Sequence, residues 1–515
     1  MDVGHASGQE VSLTVSEVVL QQVRSLIPPG TADDLTLASS LYDIGIDSLA
    51  RMGVVNRLEE VFGIRLPEES LHDLETCGDL VVCIQTSLSP GQPQSRTCEV
   101  PVSAGAERAA GPEASDVTLF PECLALQQRL TDAATAGFQI PFFRIKQQVD
   151  AATALVNGQQ VISYTSFDYL GMSQTPCVKE AARQAIEQFG TSASASRLVG
   201  GDSTILAELD AEIADFLGTE AAIVFPSGYG TNASVLEHLF HHEDLILYDE
   251  LAHNSIMHGA TTSKAQRRPF PHNDYEFLDR LLVDVRGKHR RVVIALDGVY
   301  SMDGDYPDLV KFLEVKRKHR ALLYVDEAHS LGVLGGTGRG ISEHFGVDPN
   351  ESDIWMGTIS KALGSAGGFI AGRSMLIQYL KYTTPAFVFA TAVSPPNSAA
   401  ALAALRCLRE QPERVTRLRQ RAALFLQVAI ACGLNTGDSH DTPVIPIIVG
   451  NSMRCIWVSH ELLRQGIDAQ PILYPAVPES ASRIRFFITA NHTDDQILRT
   501  VSALTECLAA SESIT

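Results

Sequence analysis

The chain has 515 residues, with 40 Lys+Arg against 61 Asp+Glu for a formal net charge of −21; the length suits about three structural units. That sign argues against a nucleic-acid binder or a protein held on anionic membrane by basic charge, because both need positive fields. With 45% hydrophobic and 20% charged residues, the chain has the composition of a globular protein with large cores, and global disorder is excluded.

Residues 11–86 carry helical apolar spacing, first at Val15, Val18, Val19 and Val23, then at Leu49, Met52, Val55, Leu58, Val61 and Phe62. This predicts an all-α N-terminal domain. Residues 87–117 are rich in Pro, Gly, Ser and Ala, hold no aromatic residue and show no apolar period, so they read as a flexible tether. From residue 118 the pattern alternates. Apolar runs at 221–225, 244–249, 291–297, 322–327, 353–357 and 367–372 read as buried strands, and amphipathic stretches such as 203–217 read as helices between them. Strands without a polar face, alternating with helices, predict an α/β domain on a mostly parallel sheet over 118–390, with an N-terminal arm. Residues 391–515 hold two helical stretches, then a strand–helix–strand–helix series, and read as a smaller α+β domain.

No apolar run is long enough to cross a bilayer as a helix; the longest, Ala399 to Leu408, is broken by Arg406. The first ten residues lack the basic stretch and apolar core of a secretory signal. Nine cysteines without a CxxC pair fit reduced thiols, and the expected compartment is the cytoplasm.

The first chemical signal is Asp47-Ser48-Leu49, where a glycine-bearing loop turns into an amphipathic helix. Ser48 in a first helical turn, with Asp47 as cap, reads either as one more capping residue or as a hydroxyl whose phosphodiester would face the free N–H groups of the helix start. The stretch Leu41–Glu69, with its Leu-x-x-x-Gly-x-Asp-Ser-Leu core and the Phe62-Gly63-Ile64 turn before Leu66-Pro67, resembles acyl and peptidyl carrier proteins. The resemblance implies a four-helix bundle over 11–86 whose Ser48 carries 4′-phosphopantetheine. The tether then lets the carrier swing to a catalytic site and raises the effective concentration of its cargo to roughly the millimolar range.

The second signal lies at or beyond the ends of expected strands, where open α/β sheets place ligands. Asp326 and His329 occur in YVDEAHSLGVLG, Lys361 in GTISKALGSAGG and His253 in DELAHNSIMHG, and a Ser-Gly-Tyr-Gly turn with Gly228 and Tyr229 follows the strand at 221–225. Singly, each is an ordinary cap, core histidine or surface lysine. Together, a lysine able to form a Schiff base beside a buried carboxylate is what pyridoxal phosphate requires. The segments DYLGMS, FPSGYGTN, DGVYSMDGD, VDEAHSLGVLGGTGRG, TISK and RIRFFITANH resemble, in order and wording, the α-oxoamine synthases among the fold-type I pyridoxal-phosphate enzymes. The match runs from about Tyr164 to the C-terminus.

That resemblance implies roles by position. Lys361 is the Schiff-base lysine, Asp326 the partner of the pyridine nitrogen, His329 the hydrogen-bonding partner of the ring hydroxyl, and His253 the residue stacked on the ring. Ser301 and Thr358 lie near ring and phosphate, Thr391 reaches a phosphate from the neighbouring subunit of a homodimer, and Arg485 holds the amino-acid carboxylate; independently of the resemblance, the Gly228 and Tyr229 amides at their strand-to-helix turn could cradle the phosphate. The implied reaction is the decarboxylative condensation of an amino acid with an acyl thioester to an α-amino ketone. The cofactors are pyridoxal 5′-phosphate and covalent 4′-phosphopantetheine, and the partners are a phosphopantetheinyl transferase and an acyl-loading enzyme. One departure stands out: the family often has Asn before Asp-Tyr-Leu, and this chain has Phe167.

The rival readings are an enzyme of this fold using free acyl-coenzyme A, an aminotransferase, and a non-catalytic scaffold; the last is disfavoured because Lys361 is present. Two further motifs carry no function. GGTGRG at 335–340 has no ribose-binding acid placed after it, and His238, His241 and His242 sit at a helix end without a second ligand pair, so no metal is expected. Glu59, Glu60, Glu68 and Glu69 read as a solvated carrier face that could also guide docking to a basic surface.

Overall fold

The computed structural model describes residues 14–24, 35–37, 39, 41, 54–55, 58, 61–62, 64, 76–88, 115–135, 140–474 and 476–513. It divides into two compact units, Met1–Leu124 and Ala125–Thr515.

In the first unit the helices Val15–Arg24 and Cys77–Leu88 each start on a reciprocal cap. Thr14 N donates to Glu17 at 2.7 Å and Glu17 N to Thr14 Oγ1 at 3.3 Å; Thr76 and Asp79 repeat the arrangement at 2.7 and 3.2 Å. Each pair satisfies N–H groups that a helix start leaves free. Val19 and Val23, one turn apart, bury with Val54, Val55, Leu58, Leu80, Val81 and Ile84 in one apolar cluster. Val61, inward by spacing, is instead exposed, because Phe62 and Ile64 supply the packing at that end. Leu49, Met52, the turn bearing Asp47 and Ser48, the acidic residues 59, 60, 68 and 69, and 89–114 of the expected tether lie outside the described residues.

The second unit opens with β1 (Lys146–Gln148), β2 (Thr153–Val156) and β3 (Gln159–Ser163). β2 and β3 are joined by Asn157-Gly158, both at positive φ, the two-residue turn whose twist matches a hairpin. The large sheet contains β4 (Ala221–Phe225), β5 (Leu245–Asp249), β6 (Gln266–Phe270), β7 (Val292–Asp297), β8 (Leu322–Asp326), β9 (Ile354–Thr358) and β10 (Gly368–Gly372). Its order is β4-β10-β9-β8-β7-β5-β6. β10 alone runs antiparallel, to β4 and β9, while the β5, β6, β7, β8 and β9 pairings are parallel. Every residue of β7, β9 and β10 is buried, as a sheet covered on both faces requires.

The small sheet has β11 (Val444–Ile448), β13 (Gln470–Ile472) and β14 (Arg483–Phe487) in the order β11-β14-β13, all antiparallel. β12 (Ile467–Asp468) pairs with β3 in parallel. The arm therefore belongs by packing to the small domain: Ile162 and Tyr164 enter its core. The helix Pro395–Glu410, expected with the small domain after residue 391, instead buries Ala400, Leu402, Leu405 and Leu408 in the core of the large one. Its apolar stripe fits the helices Pro176–Phe189 and Thr204–Leu217; sequence adjacency to the small domain does not outweigh that buried surface. Among the described residues no helix is long and apolar enough to cross a membrane.

Candidate active site

Four neighbouring parallel strands end in polar residues on one edge of the large sheet: β5 in Asp249, β7 in Asp297, β8 in Asp326 and β9 in Thr358. Asp297 and Asp326 face each other in the β7–β8 register, and both are 3% exposed. Burial, and then the charge of Asp326, raise the carboxyl pKa of Asp297 well above the ordinary range. Two buried like charges on adjacent strands disfavour each other's ionisation. Asp326 receives two N–H donors, Ala328 N at 2.8 Å and Asn232 Nδ2 at 2.6 Å.

Asn232, the last residue of the FPSGYGTN segment, organises a network to which the sequence assigned no role. It lies one turn into the helix Gly228–Leu239. The Tyr324 hydroxyl donates to its Oδ1 at 2.7 Å, which fixes the amide so that Nδ2 faces both Asp326 and Ser255 Oγ, the latter at 2.8 Å. With its oxygen accepting there, the Ser255 hydroxyl donates to His253 Nδ1 at 2.6 Å, and Ser255 N adds a second donor at 3.3 Å. His253 Nδ1 is therefore an acceptor, and the neutral ring carries its proton on Nε2. Burial lowers the pKa of His253, Lys361 and Arg485 add to the shift, and Asp326 opposes it. Asn232 sits four residues after Gly228, on the same face of the helix; that spacing and its place at the end of FPSGYGTN are the signals by which the sequence could have pointed to it.

His329 Nδ1 bonds the Tyr169 hydroxyl at 2.7 Å, and burial holds its pKa well below the usual imidazole range, with Lys361, Arg485 and His253 adding. Lys361 follows β9 on the turn into β10, where Gly364 N donates to its carbonyl at 2.9 Å. Gly364 adopts φ +60°, and a Cβ there would lie 2.5 Å from Ser173 N, so only glycine allows the turn to pass so close. Burial lowers the Lys361 ammonium pKa, Asp326 and Asp297 oppose, and Arg485 adds. The shifts of His253 and Lys361 both register Asp326 and Arg485, and that of His329 registers Lys361, Arg485 and His253, so these groups share one electrostatic neighbourhood.

Arg485 rises from β14. Its Nη1 donates to Ser301 O at 2.8 Å and approaches Met302 Sδ at 3.2 Å. The guanidinium lies 4.5 Å from the Phe487 ring centroid, and Nε is buried without a partner. Burial lowers its pKa to about 10, so it stays cationic near neutrality. Two residues away on the strand, Arg483 donates to Asp303 Oδ1 at 2.6 Å and Met302 O at 3.0 Å, so both arginines hold the Ser301–Asp303 turn. Below this turn, His272 bridges Asp249 and Asp305 at 2.8 Å each.

At the start of its helix, Gly228 leaves room that a side chain would fill: a Cβ would lie 2.6 Å from Thr358 Oγ1. Thr358 Oγ1 donates to Gly367 O at 3.1 Å and meets Ser360 Oγ at 2.8 Å. Tyr229 donates to Asn254 Oδ1 at 2.9 Å and sets its ring 6.3 Å from His253. Thr391 is exposed on the loop ahead of Pro395, and no hydrogen bond among the described residues brings its side chain to the cluster. Ser48 lies outside the described residues.

The two motifs set aside are engaged locally. Glu327 and Glu343 accept backbone N–H bonds around 335–341, and His238 bonds Thr383 Oγ1 at 2.7 Å and stacks on Tyr379. Among the described residues no group of three or more His, Cys, Asp or Glu is arranged to hold a metal.

A half-buried lysine amine, a buried carboxylate with donors on both oxygens, a helix start kept open by Gly228 and a guanidinium Nε with no partner fit an anionic aldehyde cofactor and an amino acid. Comparison with known proteins agrees. Residues 159–504 match the family described as aminotransferase class I and II, and residues 18–84 match the phosphopantetheine attachment site family. The chain is 37% identical over 378 residues to 8-amino-7-oxononanoate synthase of Symbiobacterium thermophilum, covering 73% of this chain and 96% of that one. It is 40% identical over 375 residues to the same enzyme of Fervidobacterium nodosum, covering 72% and 94%. In structure it is similar to serine palmitoyltransferase of Sphingomonas wittichii, with a TM-score of 0.74 and 28% identity over 78% of this chain and all of that one. A serine palmitoyltransferase solved with PLP gives 0.73 and 29% over 77% and 99%. The chain belongs to the class I and II aminotransferase family, in its α-oxoamine synthase branch, and carries a phosphopantetheine attachment domain. It is a pyridoxal-phosphate-dependent C-acyltransferase.

Proposed function

We propose that the site joins an amino acid to the acyl group held on phosphopantetheine at Ser48, of the same chain or of its partner in a homodimer, and that Lys361, Asp326, His329, His253 and Arg485 perform the work. When bound, pyridoxal 5′-phosphate supplies an aldehyde that takes the amino group and a ring that accepts the electron pair left at Cα. Asp326, oriented by Asn232, is the countercharge for the protonated ring nitrogen. His329, its Nδ1 taken by Tyr169, offers Nε2 to the ring hydroxyl. His253 covers the ring face. The amides at Gly228 and Tyr229, with Ser301 and Thr358, hold the phosphate end at a helix start, where negative charge is favoured, and Thr391 serves the phosphate of the neighbouring subunit.

Arg485 binds the amino-acid carboxylate through its unpartnered edge, a task suited to guanidinium. Lys361, whose burial favours the neutral amine, removes the Cα proton. A bond then forms between Cα and the acyl carbonyl carbon while the carrier sulfur leaves as thiolate. The carboxylate departs as carbon dioxide, and a proton returned to Cα by Lys361 completes the α-amino ketone. A phosphopantetheinyl transferase and a separate acyl-loading enzyme prepare Ser48, and the setting is the cytoplasm.

The carrying observation is that the Lys361 amine feels the charges of both Asp326 and Arg485, the latter with its Nε buried and unpartnered. The test is intact-protein mass spectrometry of full-length protein after phosphopantetheinylation, acyl loading and addition of candidate amino acids. Wild type is expected to gain phosphopantetheine and acyl masses, then lose the acyl mass as carbon dioxide and amino ketone appear; Ser48→Ala gains neither mass. A keto-acid requirement without carbon dioxide release would identify an aminotransferase instead.

A further inference from the structure

Two aromatic rings line this site, Phe167, 38% exposed, and Phe487, which is buried. Phe167 and Phe487 meet edge to face, centroids 4.6 Å apart at 73°. The Arg485 guanidinium lies 4.5 Å from the Phe487 ring and the Lys361 amine 5.9 Å from the Phe167 ring, while His329 touches both rings. The amine that an amino-acid nitrogen replaces and the guanidinium that holds its carboxylate thus lie against one continuous aromatic surface. An amino acid spanning them rests its Cα and Cβ on that surface.

We propose that Phe167, with Phe487, is a specificity-determining wall that selects an amino acid with a small apolar side chain, glycine or alanine, over serine. This rests on the function proposed above. Neither ring has a donor or acceptor for a Cβ hydroxyl, and Met302 Sδ, on the adjoining side, is a weak acceptor already approached by Arg485 at 3.2 Å. A hydroxyl pressed against such a wall leaves water without a replacement partner. An apolar pocket rejects an isostere that only adds a hydroxyl by up to about 100-fold. Phe167 supplies no hydrogen bond to the carboxylate either, so Arg485 Nε, buried and unpartnered, carries that contact.

The test uses the cofactor-loaded full-length protein without acyl donor. Glycine, L-alanine and L-serine are titrated in turn while the visible spectrum of the bound cofactor is followed, which yields dissociation constants independent of turnover. Wild type is expected to bind alanine or glycine at least about 10-fold more tightly than serine. Phe167→Asn is expected to close or reverse that gap, and Phe167→Leu, apolar but not aromatic, to preserve it. Serine binding tightest to wild type, or a ratio unchanged in Phe167→Asn, overturns the proposal. If none of the three perturbs a cofactor that is demonstrably bound, the proposed function fails, and the specificity wall with it.

Discussion

The two units concentrate chemistry in opposite ways. In the proposed function the helical N-terminal unit needs one hydroxyl, Ser48, and everything that marks it lies within a few residues of sequence. The α/β unit spreads its site over β7, β8, β9 and β14, two helix starts and the Tyr169 turn, with Tyr169 and Arg485 more than 300 residues apart yet electrostatically coupled. A covalent attachment point can be local because an incoming enzyme brings the rest of the chemistry. A site that must hold a proton, an electron pair and a carboxylate in one geometry cannot be. The cores differ likewise: a dozen buried side chains hold the described part of the first unit, while the second rests on several large apolar clusters.

The sharpest way to break this contrast is to remove the centre of the distributed site. Lys361→Ala should lower turnover by about 10⁴-fold, the upper range for a positioned acid–base group, and remove the visible absorbance of bound cofactor while leaving Ser48 modifiable. A yellow, active variant would show that the amine lies elsewhere. The converse, Ser48→Ala, should leave the absorbance intact and slow transfer by about 10²- to 10⁴-fold when the acyl donor must come from solution, the factor that tethering supplies; equal rates at equal donor concentration would favour the free acyl-coenzyme A reading.

The cores can be compared in the same manner. Leu80→Ala and Leu282→Ala each empty a fully buried position, at a cost of about 2–5 kcal/mol. In the small unit that is a large fraction of the total stability, so calorimetry should show its transition lost or shifted by about 10 °C or more, whereas Leu282→Ala should leave the larger unit folded. Asn232→Ala removes donors from Asp326 and Ser255 without touching substrate. A loss of about 1–3 kcal/mol should lower kcat by roughly 10- to 100-fold with KM little changed, and Asn232→Asp should fail to restore it, since a carboxylate there cannot donate to Asp326.

The smallest effect concerns pH. Burial alone would lower the His272 pKa, but hydrogen bonds to Asp249 and Asp305 outweigh it and raise it to about 10. A group whose folded pKa lies above its unfolded value near 6.5 contributes stability that is complete below about pH 6.5 and is lost as pH rises through the folded value. The melting temperature of the larger unit should therefore fall between about pH 7 and 10, and His272→Gln should flatten that slope. An unchanged slope would mean that the bridge does not persist in solution.

Much was legible without coordinates. The buried strands read from residue 221 onward, the helix over 203–217 and the tail of helices and strands all follow from period and apolar run length, because a sheet covered on both faces tolerates no polar stripe. Lys361, Asp326, His253, His329 and Arg485 could be named from motif wording, and the structure brings them together. The grouping of Tyr164 and the arm with the small domain was not legible, since only β3–β12 pairing across some 300 residues decides it. Neither was the service of Asn232 and Tyr324 to Asp326, because hydrogen bonds between a helix and a strand leave no periodic trace.

By itself, then, the sequence determined the fold class, the carrier-like serine motif and a set of candidate site residues, since these depend on local pattern and on functional groups that no packing can change. Tertiary structure alone decided that Asp297 and Asp326 face each other, which nitrogen of His253 bears the proton and that Phe167 lies against Phe487 near the Lys361 amine. Each of these depends on which dipoles, rings and charges converge from distant segments, and in a buried, low-dielectric setting that convergence governs the chemistry.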